Sequence, residues 1–235
     1  MNTVHRYALA VNARFTKADA IRYDQRCSLE FALPSIVLMT HAAVECASII
    51  RSEMRGPSAQ VVVLCGSGNN GGDGYAIVRA LHSNGIRSLA LDVAPCHSGS
   101  DAHTMRDAAS RMGLVGTWSD RPTNFKSDEI VIVDALVGTG LDRAPTGALL
   151  EAIHWINTQA RTRCTVFSID LPSGLDCDSG KPLGATNDAV FATRTLTIVR
   201  AKAGFATDSG RKYVGEVTEI SIGGPPLTQD GQFVE

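Results

Sequence analysis

Three loops rich in glycine, acids and amides carry the side chains with which this sequence could do chemistry. The first reads GSGNNGGDG and contains Asn69, Asn70 and Asp73. The second, ALVGTGLDRAPTG, follows Asp134, and the third, LPSGLD, follows Asp170. Carboxylate, amide and hydroxyl oxygens bind hard cations and exchange protons with bound hydroxyl groups. The loops therefore predict an oxygen-lined site, provided that the fold brings them together.

The first loop lies between an apolar run at residues 61–65, typical of a buried strand, and residues 75–81, which have helical spacing. Because glycine has no Cβ, we expect a turn that adopts positive φ and lets a ligand approach the main chain. The helix that follows would offer unpaired N–H groups to an anionic ligand.

This loop also matches a nucleotide-binding pattern. Gly66, Gly68 and Gly71 spell GxGxxG, and Asp92 follows at about the distance where a dinucleotide-binding domain places its ribose carboxylate. Asp73 argues against that interpretation, because a carboxylate at the start of the helix would repel a pyrophosphate. Asp73 would also suit the N-cap position. No lysine follows where a P-loop requires one, so that motif is excluded.

The predicted elements alternate between strand and helix. Further strands are expected at residues 88–93, 130–133, 165–169, 194–199 and 216–222, and further helices at 16–27, 34–51, 101–112 and 148–157. This order implies an α/β fold, a Rossmann-like three-layer sandwich with a mostly parallel sheet and helices on both faces. The three loops all follow carboxyl ends of strands, which line one crevice in such a sheet. A single site is therefore predicted.

For two of the predicted helices, the sequence also predicts which face is buried or exposed to solvent. The apolar stripe of the second predicts a core face, whose members are Ile36, Val37, Val44, Ile49 and Ile50. The charges of the helix at 101–112 predict a solvated face.

Asp134 and Asp170 are each the first polar residue after an apolar strand. Such an aspartate can simply form a turn, but two at equivalent strand ends beside glycine loops favour a functional role. Asn70, Asp134 and Ser173 would supply oxygen ligands with a single carboxylate, which favours a monovalent cation over Ca²⁺. Asp170 then remains for acid–base work, since a partly desolvated carboxylate can exchange a proton near neutral pH.

The GNNGGDG loop, together with these residues, resembles the NAD(P)HX epimerase family, the YjeF-type N-terminal domain, from about Phe15 to Gly224. The resemblance implies epimerisation at C6 of hydrated NADH or NADPH, and a potassium ion bound by Asn70, Asp134 and Ser173. It implies that Asp170 contacts the nicotinamide and is the acid–base residue. The implied substrate-binding residues are Asn69, Asn70, Gly71, Gly72, Asp73, Gly138, Thr139, Gly140, Leu141, Asp142, Arg143, Ala144 and Asp170.

The sequence departs from the family pattern at two places. LMTHAA, with Thr40 and His41, stands where the family has LMENAG, and AKAG, with Lys202, stands where the family has a KPG segment. No role is assigned to Lys202, and Arg143 could pair with a phosphate or be a solvated loop charge. A non-catalytic nucleotide-binding or scaffold module of the same fold, and an NAD-dependent oxidoreductase, are the alternative functions.

Composition restricts the number of domains, the kinds of binding partner and the roles of the cysteines. The chain has 235 residues, which predicts one domain with an N-terminal extension at 1–14 and a loose tail at 225–235. A net charge of −2 argues against nucleic acid or an anionic membrane as a partner. The six cysteines show no CxxC and no zinc spacing, so most are expected to be reduced core residues, Cys65 and Cys164 especially.

Localisation and partners are inferred more indirectly. Neither a signal-peptide core nor an apolar run of transmembrane length is evident, which favours the cytoplasm. The resemblance implies a homodimer and functional coupling to a dehydratase. Because many relatives carry that dehydratase as a second domain and this chain is too short for one, a separate enzyme is expected.

Overall fold

The architecture is organised by one seven-stranded sheet, seen in a computed structural model that describes residues 14–56, 59–123, 127, 129–160 and 164–228. The strands are β1 (Gln60–Cys65), β2 (Ser88–Asp92), β3 (Val115–Thr117), β4 (Ile130–Ala135), β5 (Cys164–Ile169), β6 (Arg194–Ile198) and β7 (Glu216–Ile220). Their order is β3-β2-β1-β4-β5-β6-β7, and every pair of neighbours is parallel. The Rossmann-like prediction is confirmed.

Helices cover both faces of the sheet. They are α1 (Lys17–Glu30), α2 (Ser35–Glu53), α3 (Asn69–Ser83), α4 (Asp101–Arg111), α5 (Gly147–Gln159) and the short α6 (Arg211–Val214). Alternate residues of β1 separate two cores: Val61 and Val63 pack with α2, α3 and α4, whereas Val62 and Leu64 pack with α5. β1 is a central parallel strand that is buried on both faces, and this explains why its sequence is a continuous apolar run.

The strand order reverses between β1 and β4, which are neighbours although two strands lie between them along the chain. In an open parallel sheet, such a switch point opens a crevice at the carboxyl ends of the strands. Apart from α3, which begins six residues before the predicted start at 75, the predicted strands and helices lie within a few residues of the observed ones. Among the strands and α-helices of the described residues, only β3 and α6, each very short, were not predicted.

The glycine-rich stretch is a helix, and the prediction of a turn there was wrong. α3 begins at Asn69 behind the extended N-cap Gly68, and none of the glycines at 66–74 has a positive φ. Gly71 is required by close approach instead: a Cβ there would lie 1.9 Å from the carbonyl oxygen of Gly66. A Cβ on Gly74 would lie 2.7 Å from both Ala135 Cβ and Cys65 Sγ. The glycines therefore let α3 pack directly onto the strand ends.

The core face of α2 differs from the predicted one. Val37 and Val44 are 39% and 57% exposed, whereas Ile50 is buried and Ile36 and Ile49 are half-buried. The buried residues are Leu38, Met39, Ala42, Ala43, Cys46, Ala47 and Ile50. Small residues dominate this face because α2 packs closely against α3. The proline expected in the first turn, Pro34, is the N-cap, and the helix begins one residue later.

The cysteines and the C-terminal tail agree only in part with the expectations from the sequence. Cys65 is buried as predicted, but Cys164 is only half-buried. The tail is held as far as it is described: Tyr23 Oη donates to the Pro225 carbonyl at 3.1 Å, and Arg200 Nη2 donates to the carbonyl of Thr228 at 3.2 Å. Residues 229–235 and all of the N-terminal extension except Arg14 lie outside the described residues. Among the described helices, none combines the length and apolarity that crossing a membrane requires.

Candidate functional site

The three loops meet at the switch point of the sheet. A Cβ on Gly138, in the second loop, would lie 3.1 Å from Asp170 Oδ2 and 3.6 Å from Asn70 Cβ and Cγ. Ser173, in the third loop, donates from its hydroxyl to Asp134 Oδ1 at 2.6 Å and from its backbone N–H to Oδ2 at 2.9 Å. The structure therefore brings the key residues of all three loops together, as the strand order implied.

Asp134 is fully buried and lies inside β4, although the sequence predicted that the strand would end before it. Its carboxylate also accepts hydrogen bonds from the Ser168 hydroxyl at 2.8 Å and from the Leu136 N–H at 3.3 Å. Burial raises the pKa of Asp134, and the hydrogen bonds from Ser173 oppose that rise. The hydrogen bonds from Ser173, Ser168 and Leu136 stabilise the charged carboxylate of Asp134 and hold it in one position.

Asn70 presents a buried amide without a partner. The residue is 7% exposed, and neither its side-chain oxygen nor its nitrogen is hydrogen-bonded within the described part of the chain. Leaving such a group unpaired costs about 1–3 kcal/mol, so a ligand that binds the amide would be favoured. The amide oxygen of Asn70 and the oxygens of Asp134, Ser173 and Val137 are donors of the kind that suits a hard cation such as potassium.

Asp170 follows β5 and is 8% exposed. Its φ of 67° lies in the left-handed region, which costs roughly 1–2 kcal/mol for a residue other than glycine. Oδ1 accepts from the Ile198 N–H at 3.3 Å and pairs with Lys202 Nζ at 2.7 Å, while Oδ2 faces Gly138. One carboxylate oxygen is therefore anchored and the other faces the second loop.

Lys202 is the site residue to which the sequence analysis assigned no role. It is 1% exposed, and its ammonium group also donates to Thr197 Oγ1 at 3.1 Å and to the carbonyls of Ile198 at 2.9 Å and Arg200 at 3.1 Å. Its donors are thus engaged by oxygens at the end of β6, by the Arg200 carbonyl in the segment that follows, and by Asp170. A lysine within an otherwise apolar and small-residue segment, AKAGFA, was the only sequence signal that it is buried.

Asp73 is not the N-cap of α3, which is Gly68, but the fifth residue of the helix. It is buried and lies three residues after Asn70, so the two side chains share a helix face. Burial raises the pKa of Asp73 well above 3.8, and the charges of Asp170 and Asp24 raise it further. Asp73 therefore favours its protonated form.

The other predicted substrate-binding residues differ in their exposure to solvent. Thr139 and Leu141 are half-buried, whereas Asn69, Gly140, Asp142, Arg143 and Ala144 are exposed. Arg143 forms no ion pair with the residues that the structure describes, which leaves its two interpretations open. The binding roles of these residues stay predictions.

Asp92 is engaged by protein groups. Its Oδ1 accepts from Tyr75 Oη at 2.6 Å, and its Oδ2 accepts from Arg106 Nε at 2.8 Å. Arg106 belongs to α4, so the prediction that the charges of this helix are only solvated was wrong for this residue. The carboxylate that a dinucleotide-binding domain would offer to a ribose is here used to join α3, β2 and α4.

Thr40 and His41, the departures in LMTHAA, are both exposed on α2. The Thr40 hydroxyl donates to the Ile36 carbonyl at 2.8 Å, and the ring of His41 lies beside Gly223. Neither side chain is part of the buried set around Asp134 and Asp170.

Comparison with known proteins identifies the family. The model described as "YjeF-related protein N-terminus" matches residues 35–204, most of the chain. The chain belongs to this YjeF N-terminal family. The matched range includes every residue of the predicted site, from Asn69 to Ser173, and also Lys202.

Relatives whose names state an activity extend the match. The chain is 36% identical over 203 residues to the NAD(P)H-hydrate epimerase of Limosilactobacillus reuteri, covering 86% of this chain and 92% of that protein. It is 31% identical over 218 residues to the NAD(P)H-hydrate epimerase of Rhodopirellula baltica, covering 90% and 83%. The bifunctional NAD(P)H-hydrate repair enzyme Nnr of Salinibacter ruber is 35% identical over 230 residues, which cover 91% of this chain but 41% of that protein.

The YjeF N-terminal fold is also seen in a solved structure. The crystal structure of the yeast protein YNL200c superposes with a TM-score of 0.71 at 17% identity and covers 92% of this chain and 90% of that one. At this level of identity the likeness establishes the fold.

Proposed function

We propose that this protein is an NAD(P)H-hydrate epimerase, an isomerase that interconverts the R and S forms of hydrated NADH and NADPH at C6 of the nicotinamide ring. The observation that carries the proposal is the carboxylate of Asp170, anchored through Oδ1 by Lys202 and open through Oδ2 toward Gly138 and Asn70. The epimerases of similar length, matched over nearly their whole chains, support the same activity.

Each part of the site has a separate role in the proposed reaction. Asp170 exchanges a proton with the C6 hydroxyl, because it is the partly enclosed carboxylate that faces the meeting point of the loops. Lys202 is a positioning residue, which fixes the carboxylate through an ion pair. The segments at 69–73 and 138–144 line the substrate cleft, and the buried amide of Asn70 awaits a polar ligand.

The test is a coupled assay on mixed R and S hydrates with an S-specific dehydratase, with this protein added or withheld. We expect wild type to remove the slow R fraction and Asp170→Asn to reduce the rate about 100-fold or more, as for loss of a general acid–base group. Asp208→Asn, at an exposed aspartate away from the loops, is the matched control and should retain full activity. If wild type binds the hydrate in a thermal-shift titration without consuming it, the alternative of a non-catalytic binding module replaces the epimerase.

We further propose a potassium ion held by Asn70, Asp134 and Ser173. When bound, the ion would supply positive charge beside the phosphate-bearing or hydroxyl-bearing part of an anionic substrate and order the second and third loops. Support comes from the unpartnered amide of Asn70 and from the all-oxygen character of the neighbouring donors.

The potassium proposal is tested by the melting temperature at constant ionic strength. KCl replacing tetramethylammonium chloride should raise the melting temperature of wild type in a saturable way, since a ligand bound only by the folded state stabilises it. Asn70→Leu removes the proposed amide ligand and should abolish that response. An equal response of wild type and Asn70→Leu would refute the assignment.

Partners and location are proposed on the family resemblance. The family resemblance implies functional coupling to a dehydratase, and the relatives of which this chain matches less than half are named as bifunctional NAD(P)H-hydrate repair enzymes. A cytoplasmic homodimer without nucleic-acid or membrane partners completes the proposal. Light scattering of the purified protein tests the dimer, and cell fractionation tests the location.

A further inference from the structure

The backbone on both sides of Lys202 is bound by Phe15, a residue that lies just before the start of α1. The Phe15 N–H donates to the Ala201 carbonyl at 2.9 Å, and the Ala203 N–H donates to the Phe15 carbonyl at 2.8 Å. The two hydrogen bonds form an isolated parallel β-bridge between Phe15 and Lys202. A single residue, distant in sequence, therefore holds both neighbours of the lysine that anchors Asp170.

Phe15 can hold other residues because its own position is fixed. Its side chain is 6% exposed and packs in the apolar cluster that also contains Tyr23 and Leu38. The ring centroids of Phe15 and Tyr23 lie 6.1 Å apart. The next residue, Thr16, is the N-cap of α1, and its capping box with Asp19 fixes the start of the helix. The buried ring and the cap therefore keep the backbone of Phe15 in place.

The segment that Phe15 binds needs support from outside. It runs from the end of β6 to Lys202, and Val199 within it has a φ of 64°. A β-branched residue in the left-handed region is strained, and such a conformation persists only when the surrounding structure holds it. Glu219 of β7 accepts a hydrogen bond from the Ala201 N–H at 2.9 Å, while Phe15 binds the Ala201 carbonyl. Two separate elements therefore hold this segment.

The position of the Lys202 ammonium group depends on this support. The group donates to Thr197 Oγ1 and to the carbonyls of Ile198 and Arg200, and it pairs with Asp170 at 2.7 Å. Two of these acceptors lie in β6, whereas the backbone of the lysine lies beyond the end of that strand. A shift of the backbone at Lys202 would therefore move the ammonium group relative to the carboxylate that it anchors.

We propose that Phe15 is a positioning residue of the site: by holding the backbone at Lys202, it keeps the ammonium group of that lysine on Asp170. The inference rests on the proposed epimerase function. It assigns a role to a residue outside the range 35–204 that the family model matches. Phe15 acts through Lys202 and not on the substrate.

The first experiment measures whether Phe15 holds Lys202. The folded protein is treated with a low concentration of acetic anhydride, and acetylation of each lysine is followed by mass spectrometry. Lys202 is 1% exposed and should react only when its segment opens, whereas the exposed Lys181 and Lys212 serve as internal references. Phe15→Ala should increase the acetylation rate of Lys202, relative to the references, about 10-fold or more.

Leu38→Ala is the matched control. Leu38 lies in the same apolar cluster and is also 6% exposed, but its backbone belongs to α2 and not to the bridge. The substitution should destabilise the cluster as Phe15→Ala does, yet leave the relative acetylation of Lys202 within about 3-fold of wild type. Phe15→Leu keeps a large apolar side chain in the cluster and should restore the protection of Lys202.

The second experiment measures the effect on the reaction, with the purified R hydrate and excess S-specific dehydratase. Phe15→Ala should lower kcat roughly 10- to 100-fold with KM changed less than about 3-fold, because a displaced acid–base group reduces the rate more than binding. Leu38→Ala and Phe15→Leu should keep kcat within about 3-fold of wild type. Melting temperatures verify that the variants are folded. If Phe15→Ala does not fold, Phe15→Val and Leu38→Val provide the same comparison with a smaller loss of packing.

Equal acetylation of Lys202 in Phe15→Ala and Leu38→Ala would overturn the inference, since it shows that Phe15 contributes only packing. An unchanged kcat in Phe15→Ala, or a change confined to KM, would overturn it as well. Inactive wild type in the coupled assay would refute the epimerase proposal. The acetylation rates decide independently of that result whether Phe15 holds Lys202.

Discussion

At the scale of single residues, the ion pair of Asp170 and Lys202 dominates the site because both side chains are withdrawn from water. Lys202 is bound by three further oxygens, so its charge is satisfied from several directions. Removing one member of a buried pair leaves the other charge uncompensated, which is far more costly than removing both. The pair is therefore expected to contribute to stability as a unit.

Lys202→Met should reduce the free energy of unfolding by about 3–5 kcal/mol, because it leaves Asp170 unpaired. The double variant Lys202→Met/Asp170→Asn should regain part of that loss, since no buried charge remains. Urea unfolding of the two single variants, the double variant and wild type measures the coupling. Strictly additive losses would show that the two residues act independently.

Asp73 has a raised pKa, and this leads to a pH dependence of stability with a defined sign. Below the ordinary pKa of 3.8, the folded and unfolded states both hold the proton. As the pH rises above 3.8, the unfolded state releases the proton first, so the folded state loses stability with rising pH. Asp73→Asn, which resembles the protonated carboxyl, removes this contribution.

The stability of Asp73→Asn relative to wild type should therefore increase between pH 4 and pH 7. Urea midpoints at several pH values within that range measure the difference. The other titrating carboxylates are present in both proteins, so they largely cancel. A constant difference across the range would contradict the protonated state that burial predicts for Asp73.

At the scale of elements, α3 depends on glycines that bring its first turns onto the strand ends. A glycine within a helix ordinarily costs about 1 kcal/mol relative to alanine, so the stretch NNGGDG reads locally as a turn. Close packing reverses that preference, because a Cβ on Gly71 would lie 1.9 Å from a backbone oxygen that cannot move aside without shifting β1. Tertiary contact, rather than helix propensity, determines this element.

Gly71→Ala should therefore destabilise the protein by roughly 2–3 kcal/mol, as an overpacked core does, despite the better helix propensity of alanine. Gly68→Ala is the control: nothing lies within 4 Å of a Cβ there, and we expect a loss below about 1 kcal/mol. Both changes are measured by urea unfolding. Equal losses at the two positions would show that close approach is not the reason for the glycines.

At the scale of the whole molecule, stability is expected to be graded from the centre of the sheet to its edges. β1 and β4 are buried on both faces and lie in the middle of the strand order, whereas β3 and β7 are edge strands. Asp134 lies in β4, and Asp170 directly follows the neighbouring strand β5, so both carboxylates are carried by the central part of the sheet. A rigid base of this kind suits groups that must keep fixed positions.

Hydrogen exchange followed by mass spectrometry should show this gradient. Amides of β1 and β4 should exchange slowest, through global unfolding, while those of β3 and β7 should exchange through smaller openings. Urea added in small amounts should accelerate the central strands more steeply than the edges. Uniform exchange across the sheet would contradict the gradient.

The sequence by itself determined six of the seven strands, the fold class and the convergence of Asn70, Asp134, Asp170 and Ser173. Apolar β-branched runs alternate with helical spacing, and parallel strands necessarily end at one edge of the sheet, so local patterns sufficed. The tertiary structure alone decided that NNGGDG is helical, which face of α2 is buried, and that Lys202 adjoins Asp170. These features depend on distances between segments far apart in the chain, and no local propensity or spacing encodes such distances.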